Sequence, residues 1–279
     1  MYIARFACKG QQHWGAVQGE EVVLLDPWCA SMAHGIAQGW DALRAQAGCT
    51  RHPRVPLGEV QWLPPVEQQS KILCVGLNYG KHVAETGREQ GGYPSLFLRH
   101  LDSFVGHEQN IIKPGCSDKF DFEGEVVVVM GREGRHISES DAMDYVAGYT
   151  CMAENSVRDF QKHTAQVTAG KNFDQSGALG PWIASCDQVG TVSDLALTTR
   201  LNGATVQHAV LADLIFSIPR LIAYISTFTT LRPGDLIATG TPEGIGSKRT
   251  PPLFMKAGDL LEVEVAGVGT LRTPVAQES

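Results

Sequence analysis

The segment DFEGEVVVVMG, residues 121–131, sets carboxylates at every second position ahead of an apolar run. In an extended strand successive side chains alternate between faces, so Asp121, Glu123 and Glu125 share one face with Val127 and Val129. Carboxylates packed that closely inside a protein repel one another and take up protons unless a cation holds them. Oxygen ligands select a hard ion, Mg²⁺ or Mn²⁺, with Ca²⁺ also admissible. Taken alone, the segment reads equally well as an acidic strand face turned to water. A further carboxylate, Glu154, closes the segment VAGYTCMAE and precedes a stretch containing Arg158, Asp159 and Gln161. Glu154 is therefore either a third ligand delivered from a neighbouring strand end or an ordinary acid at a helix N-terminus. Arg158 either pairs with Glu154 or Asp159, or grips a substrate carboxylate in a two-pronged contact.

His82 and Glu85 lie three residues apart in NYGKHVAETG, on one face of a short helix. A carboxylate beside an imidazole fixes its tautomer and raises its basicity, as a general base acting on water requires. A surface helix pair is the plainer alternative. Lys171 and Asp174 fall in the Gly-bounded loop AGKNFDQSGALGPW, where the lysine either offsets an anionic substrate or meets solvent. The turn ATGTPEGIG carries Gly240, Gly244 and Gly246 without a G-K-[ST], so it is not a phosphate-binding loop. Its glycines would let backbone N–H groups approach a ligand carboxylate. No G-x-S-x-G or Cys/His nucleophile pattern is present, which argues against acyl-enzyme chemistry.

These residues need elements to position them. YIARFA and HWGAVQGEEVVLL read as strand, turn and strand, with a helical segment near 36–47 and a Pro-rich join at 53–65. They predict a small N-terminal α+β domain over residues 1–65, and a larger catalytic domain over 66–279. In the larger domain KILCVGLN is a buried-type strand, followed by the short helix with Asn78 as its N-cap and Gly87 past its end. DFEGEVVVVMG and VAGYTCMAE are the strongest strands, the second running into a helix near Ser156. LALTTRLNG, DLIATGTPEG and DLLEVEVAGVGTLRTPV are later, shorter ones. One long helical pattern, ADLIFSIPRLIAYISTF, is interrupted by Pro219. Many strands with few helices predict a mixed α/β, β-rich core.

A chain of 279 residues with 43% hydrophobic side chains can bury one large domain, or one large and one small. The net charge of −7 is spread along the chain, which is no nucleic-acid footprint. An anionic substrate would then need a local basic group or a bound cation to overcome that field. The start lacks a signal-peptide pattern, and no apolar stretch approaches the roughly 20 residues of a membrane helix, so a cytoplasmic protein is expected. Seven widely spaced cysteines fit neither a disulfide framework nor a zinc site and are expected to be reduced.

From Lys71 to Val275 the order of the segments resembles the fumarylacetoacetate hydrolase family, in the branch of bacterial acylpyruvases and 2-hydroxyhepta-2,4-diene-1,7-dioate isomerases. The matching stretches include VGLNYGKHVAE, PSLFLRH, DFEGEVVVVMG, VAGYTCMAENSVRDFQ, GKNFDQSGALGPW, LNGATVQ and LRPGDLIATGTPEGIG. The resemblance implies a β-sandwich roll with flanking helices, normally homodimeric, and a divalent Mg²⁺, Mn²⁺ or Ca²⁺. It implies Glu123 and Glu125 as metal ligands, with Glu154 where relatives usually carry Asp. His82 and Glu85 would sit on a mobile segment that orders over the substrate and activates water. Arg158, Gln161 and Lys171 match positions that bind substrate or stabilise developing negative charge, and Tyr79, Asp174 and Thr241 lie in matched motifs as further substrate-binding candidates. Arg99, Val210 with Leu211, and Thr273 depart from the usual Lys, Asn-Thr and Asn. The implied activity is cleavage of a carbon-carbon bond in a small anionic β-diketo acid of the acylpyruvate or fumarylpyruvate type, giving pyruvate and a carboxylic acid. Isomerisation of a 2-hydroxydienoate of the 5-carboxymethyl-2-hydroxymuconate type and decarboxylation of an oxaloacetate-like acid need the same apparatus. Outside enzymes, a metal and keto-acid binding protein is the competing expectation.

Overall fold

In the computed structural model, residues 1–87 and 91–279 are described. The chain opens with an antiparallel meander of β1 (Tyr2–Cys8), β2 (Gln11–Gln18) and β3 (Glu21–Leu24). The first turn is the two-residue pair Lys9 and Gly10, with φ of 50° and 78°, the double left-handed geometry whose twist matches a hairpin. The stretch expected as one strand over HWGAVQGEEVVLL is two, because the chain reverses at Gly19. Helices α1 (Met32–Ala37) and α2 (Trp40–Ala47) follow, and Ser31 caps α1 by accepting from His34 N–H. The Pro-rich join holds β4 (Arg54–Pro56) and β5 (Gln61–Leu63), paired with β3 and β1.

After the join come β6 (Ile72–Gly76), α3 (Gly80–Thr86), β7 (Ser95–Leu98), β8 (Phe104–Val105), β9 (Ile111–Lys113) and β10 (Phe120–Asp121). The centre of the fold is β11 (Gly124–Met130) and β12 (Val146–Ala153), then β13 (Ser156–Val157), α4 (Arg158–Gln161), α5 (Thr168–Lys171) and β14 (Gly177–Ser185). The remainder is α6 (Cys186–Val189), β15 (Ala196–Leu201), β16 (Ala204–Val210), α7 (Ile218–Phe228), β17 (Leu236–Ala238), β18 (Leu260–Val265) and β19 (Gly269–Gln277).

A large sheet runs β4-β3-β2-β1-β14-β12-β11-β17-β6-β7, with β5 and β8 attached to β1 and β14. Residues 1–65 thus extend the sheet of the larger region, through Tyr2 and Ile3 of β1 paired with Ala184 and Ile183. A second sheet, β16-β15-β18-β19-β9, packs over β11, β12 and β14. The run VVVVM, residues 126–130, is apolar on both faces because both are covered. Val126, Val128 and Met130 pack with the second sheet and α7, while Val127 and Val129 pack with α1, α2 and Ile3. This is a mixed α/β, β-rich fold, as the sequence predicts.

Three local expectations change. Pro219 begins helix α7 in its first turn, where no N–H is needed, behind the N-cap Ser217; it does not interrupt the helix. Tyr79, not Asn78, is the N-cap of α3, while Gly87 ends that helix at φ 68° as expected. The Asn78 amide is buried, donating to Phe216 O and Thr239 O and accepting from Phe216 N–H. Finally, DFEGEVVVVMG is broken between β10 and β11, so Asp121 pairs with Ser156 in a separate ribbon.

Ile3 is wholly buried where the N-terminal strands meet the central sheet. Ile3→Ala is expected to lower unfolding free energy by about 2–4 kcal/mol in urea titration while leaving the folded protein's ligand affinities unchanged.

Candidate metal centre and general base

The hairpin register decides which carboxylates meet. Gly124 pairs with Ala153 and Glu125 with Met152, so one step beyond the strand ends Glu123 faces Glu154, joined by Glu154 N–H donating to Glu123 O at 2.8 Å. Glu125 lies two residues along the same face as Glu123. One oxygen from each of Glu123, Glu125 and Glu154 lies within 4.8 Å of the others, and all three residues are buried. Like charges facing across a strand pair repel, and here three are withdrawn from water.

The surrounding cations divide unevenly. Lys171 donates to Glu123 Oε2 at 3.0 Å, to Glu154 O at 3.1 Å and to Glu154 Oε2. Arg158 Nη1 lies 2.6 Å from Glu123 Oε1, which also accepts from Ser156 Oγ at 2.6 Å. Arg99 Nη1 donates to Glu154 Oε1 at 3.1 Å. Among the described residues no Lys or Arg lies within ion-pair distance of Glu125; its Oε2 accepts from Gly240 N–H at 2.9 Å. Burial first, then Glu154, pushes the Glu125 carboxyl well above the usual range. Burial also raises Glu154, with Lys171 opposing. Burial acts on Glu123 in the same sense, but Arg158 and Lys171 outweigh it and hold that carboxyl far below the usual range. For Lys171 the pull of Glu123 and Glu154 overcomes desolvation and raises the ammonium, which stays charged.

Three converging carboxylates, one of them without an ion-pair partner among the described residues, form an oxygen-only donor set suited to a hard divalent ion. The site therefore fits Mg²⁺ or Mn²⁺ on its own chemistry.

His82 and Glu85 do share a face of α3. His82 Nδ1 lies 3.0 Å from Glu85 Oε1, and Glu85 Oε2 accepts from Gly244 N–H at 2.9 Å. A carboxylate can only accept, so Nδ1 carries the proton and Nε2 has a free lone pair. His82 lines a cleft of about 550 Å³ together with Glu123, Glu125, Glu154, Arg158 and Lys171.

The glycine turn behaves differently from expectation. Its amides approach the protein's own carboxylates rather than a ligand's: Gly240 N–H binds Glu125, Gly244 N–H binds Glu85, and Gly246 and Ser247 N–H bind Asp121. Gly240 is needed there, because at φ 104° a Cβ would lie 2.9 Å from Asn78 Cβ.

Gln161 and Thr241 also line the cleft. Thr241 Oγ1 donates to Gly124 O at 3.0 Å and accepts from Gln207 Nε2 at 2.8 Å, so it braces the start of β11. Gln207, whose Oε1 accepts from Gly124 N–H, was not anticipated. Tyr79 and Asp174 are not brought into the cleft. The Tyr79 hydroxyl is buried without a hydrogen-bond partner among the described residues, held protonated by burial and by nearby Glu125. Asp174 sits exposed on the loop before β14, because the chain turns it outward while Ser176 is buried. Arg99, noted in the sequence only as a departure, is a site residue by geometry. It binds Glu154, Asn155 O, both the Oγ and O of Ser103, and Ser176 Oγ, a fan of contacts that a lysine ammonium cannot reproduce. Residues 1–65 give no side chain to the cleft.

Residues 71–276 match the sequence family described as fumarylacetoacetate (FAA) hydrolase C-terminal, and residues 1–65 match that described as Rv2993c-like, N-terminal. The mitochondrial oxaloacetate tautomerase Fahd2a of Rattus norvegicus is 39% identical over 220 residues, covering 78% of this chain and 70% of that protein. Maleylpyruvate hydrolase from Sphingobium sp. SYK-6, solved in complex with manganese (II) ion and pyruvate, shares 28% identity over 100% of both chains with a TM-score of 0.82. 2-Hydroxyhepta-2,4-diene-1,7-dioate isomerase from Mycobacterium marinum shares 30% identity with a TM-score of 0.80, covering 100% of this chain and 99% of that one.

Glu125 and Glu154 bind protons more tightly folded than unfolded, so without a cation their contribution to stability is full at acid pH. It is lost as pH rises from the unfolded value near about 4.3 toward the raised folded one. A divalent ion takes the place of those protons, so its stabilising effect should grow across that window. Saturating Mg²⁺, at about a hundred times its dissociation constant, is expected to add about 2.7 kcal/mol. The Tm gain should be larger at about pH 8 than at about pH 5. Equal gains at both would contradict the assignment.

Proposed function

The chain belongs to the fumarylacetoacetate hydrolase family of enzymes, and from that premise we propose that it is a divalent-metal-dependent hydrolase of small β-diketo acids of the acylpyruvate type. Water and the diketo acid give pyruvate and a carboxylic acid. The observation that carries this reading is the His82 imidazole, with Nδ1 on Glu85, Glu85 on Gly244 N–H, and Nε2 without a partner among the described residues, on a cleft that three carboxylates also line.

Glu123, Glu125 and Glu154 would hold the ion, which supplies positive charge against the carboxylate and 2-oxo group of a bound substrate. His82 Nε2 takes a proton from water, which then attacks the distal carbonyl carbon, and Glu85 steadies the imidazolium that results. The carbon-carbon bond beside that carbonyl breaks toward the pyruvate fragment, and the proton returns to its carbon from His82. Lys171, kept charged by two carboxylates, lies where negative charge accumulates. Arg158 Nη2, a buried donor with no partner among the described residues, suits a carboxylate oxygen of the substrate, with Gln161 beside it. The cationic side chains Lys162 and Lys248 also line the cleft, consistent with an anionic substrate in a protein of net negative charge.

A second reading is favoured by the 39% identity to an oxaloacetate tautomerase, against 28% to a hydrolase. There His82 would move a proton between the carbon beside the 2-oxo group and the enol oxygen, with no water consumed. The proposal extends to a cytoplasmic homodimer, while the tautomerase relative that favours the second reading is mitochondrial.

His82→Gln is expected to leave Mn²⁺ affinity unchanged and to lower kcat by about 10²–10⁴-fold. A panel of acylpyruvates and oxaloacetate on the Mg²⁺-loaded enzyme separates the readings: pyruvate released stoichiometrically with diketone loss marks hydrolysis. Rapid keto–enol equilibration of oxaloacetate without cleavage of any diketone would replace it by the tautomerase reading.

A further inference from the structure

We propose that Asp121 is a positioning residue that couples the substrate-facing Arg158 guanidinium to the turn that anchors the general base. This rests on His82 and Arg158 serving one active site, as proposed above. Although Asp121 opens the acidic segment, it stays out of the carboxylate cluster, since β10 pairs with β13 and carries it aside. It is fully buried. Its Oδ2 accepts from Arg158 Nε at 2.7 Å and from Ser247 N–H at 2.9 Å, and its Oδ1 accepts from Gly246 N–H at 2.7 Å. One carboxylate therefore holds an arginine on one side and two consecutive backbone amides on the other.

Those amides belong to the turn whose Gly244 N–H holds Glu85. The turn is also pressed against Asp121, because a Cβ at Gly246 would lie 2.6 Å from Asp121 Oδ1. A shift of the turn must therefore move Asp121, and a shift of Asp121 must move both the guanidinium and the turn. The sequence His82, Glu85, turn 244–247, Asp121, Arg158 forms a continuous run of hydrogen bonds and covalent backbone from base to substrate arm. With Nε on Asp121 and Nη1 on Glu123 and Gln161, the guanidinium plane is fixed and Nη2 is left without a partner among the described residues. A wholly structural bracket would not need a buried charge, since an amide or apolar pair fills such space at lower desolvation cost.

The test is Asp121→Asn on the Mn²⁺-loaded full chain, which keeps the shape and removes the charge. Because Arg158 also contacts Glu123, Mn²⁺ affinity is measured first and every other reading is taken at saturating Mn²⁺. Pyruvate binding, read by calorimetry without turnover, should weaken roughly 10-fold through misaligned Arg158. With a cleaved diketo acid, KM should rise and kcat fall together, kcat/KM dropping roughly 10- to 100-fold, and the acid limb of the pH–rate profile should move. In a cycle with Glu85→Gln, the two losses in kcat should fall short of multiplying. Pyruvate affinity and pH profile unchanged in folded Asp121→Asn, or losses that multiply to within about twofold, would overturn the proposal. Should Asp121→Asn not fold, Asp121→Glu, which keeps the charge and shifts the carboxylate by one methylene, takes its place in the same cycle with the same two outcomes. If the unsubstituted protein cleaves nothing, the hydrolase reading falls, and pyruvate affinity alone still decides this one.

Discussion

Three carboxylates withdrawn from water at one strand end repel each other, and the rest of the site is arranged around that repulsion. Glu123 is held by Arg158 and Lys171, and Glu154 by Arg99 and Lys171. Glu125, with an amide but no ion-pair partner among the described residues, is pushed toward holding a proton unless a cation takes that proton's place. A cluster neutralised completely by its own side chains would have no use for an ion, and one neutralised by none would not fold with its carboxylates ionised. This one lies between those limits, which is the electrostatic condition for taking up a divalent cation.

The fold serves that condition by fixing backbone before side chains. A hairpin in the middle of a two-face-covered sheet sets Glu123 opposite Glu154 by register, so neither can retreat without unpairing buried strands. The turn over residues 240–247 then reaches carboxylates from β10, β11 and α3 through its amides. The amide donors titrate at no ordinary pH, so only the carboxylate side of each bond can gain or lose a proton. Asn78 secures the same turn from below by bonding Thr239 O. The base, the cation cluster and the substrate arm are thereby referred to one short piece of backbone.

Much of this was legible in the sequence wherever a residue's partner lies nearby in the chain. Period-two spacing placed Glu123 and Glu125 together, and helical spacing placed His82 on Glu85. Glu154 and Lys171 stand out as candidates in their own segments, but their convergence depends on pairings across the sheet that no local pattern encodes. The period failed at Asp121 because the strand breaks at Phe122 and Glu123, leaving apolar-polar alternation intact while the backbone changes course. The glycine turn was read as a site for a ligand's carboxylate; glycine spacing shows that amides can be approached, not by what. Arg99 and Gln207 were passed over for the same reason, their partners lying 55 and 83 residues away. Asp174 and Tyr79 were carried by motif position, and motif position does not say which way a side chain faces.

The most direct measurement is anomalous scattering from crystals grown with Mn²⁺. The expected result is one strong peak per chain at about 2.0–2.6 Å from an oxygen of each of Glu123, Glu125 and Glu154, with Lys171 still on the outer oxygens. A peak elsewhere, or none at saturating Mn²⁺ with the three carboxylates bridged by Lys171 alone, would contradict the account.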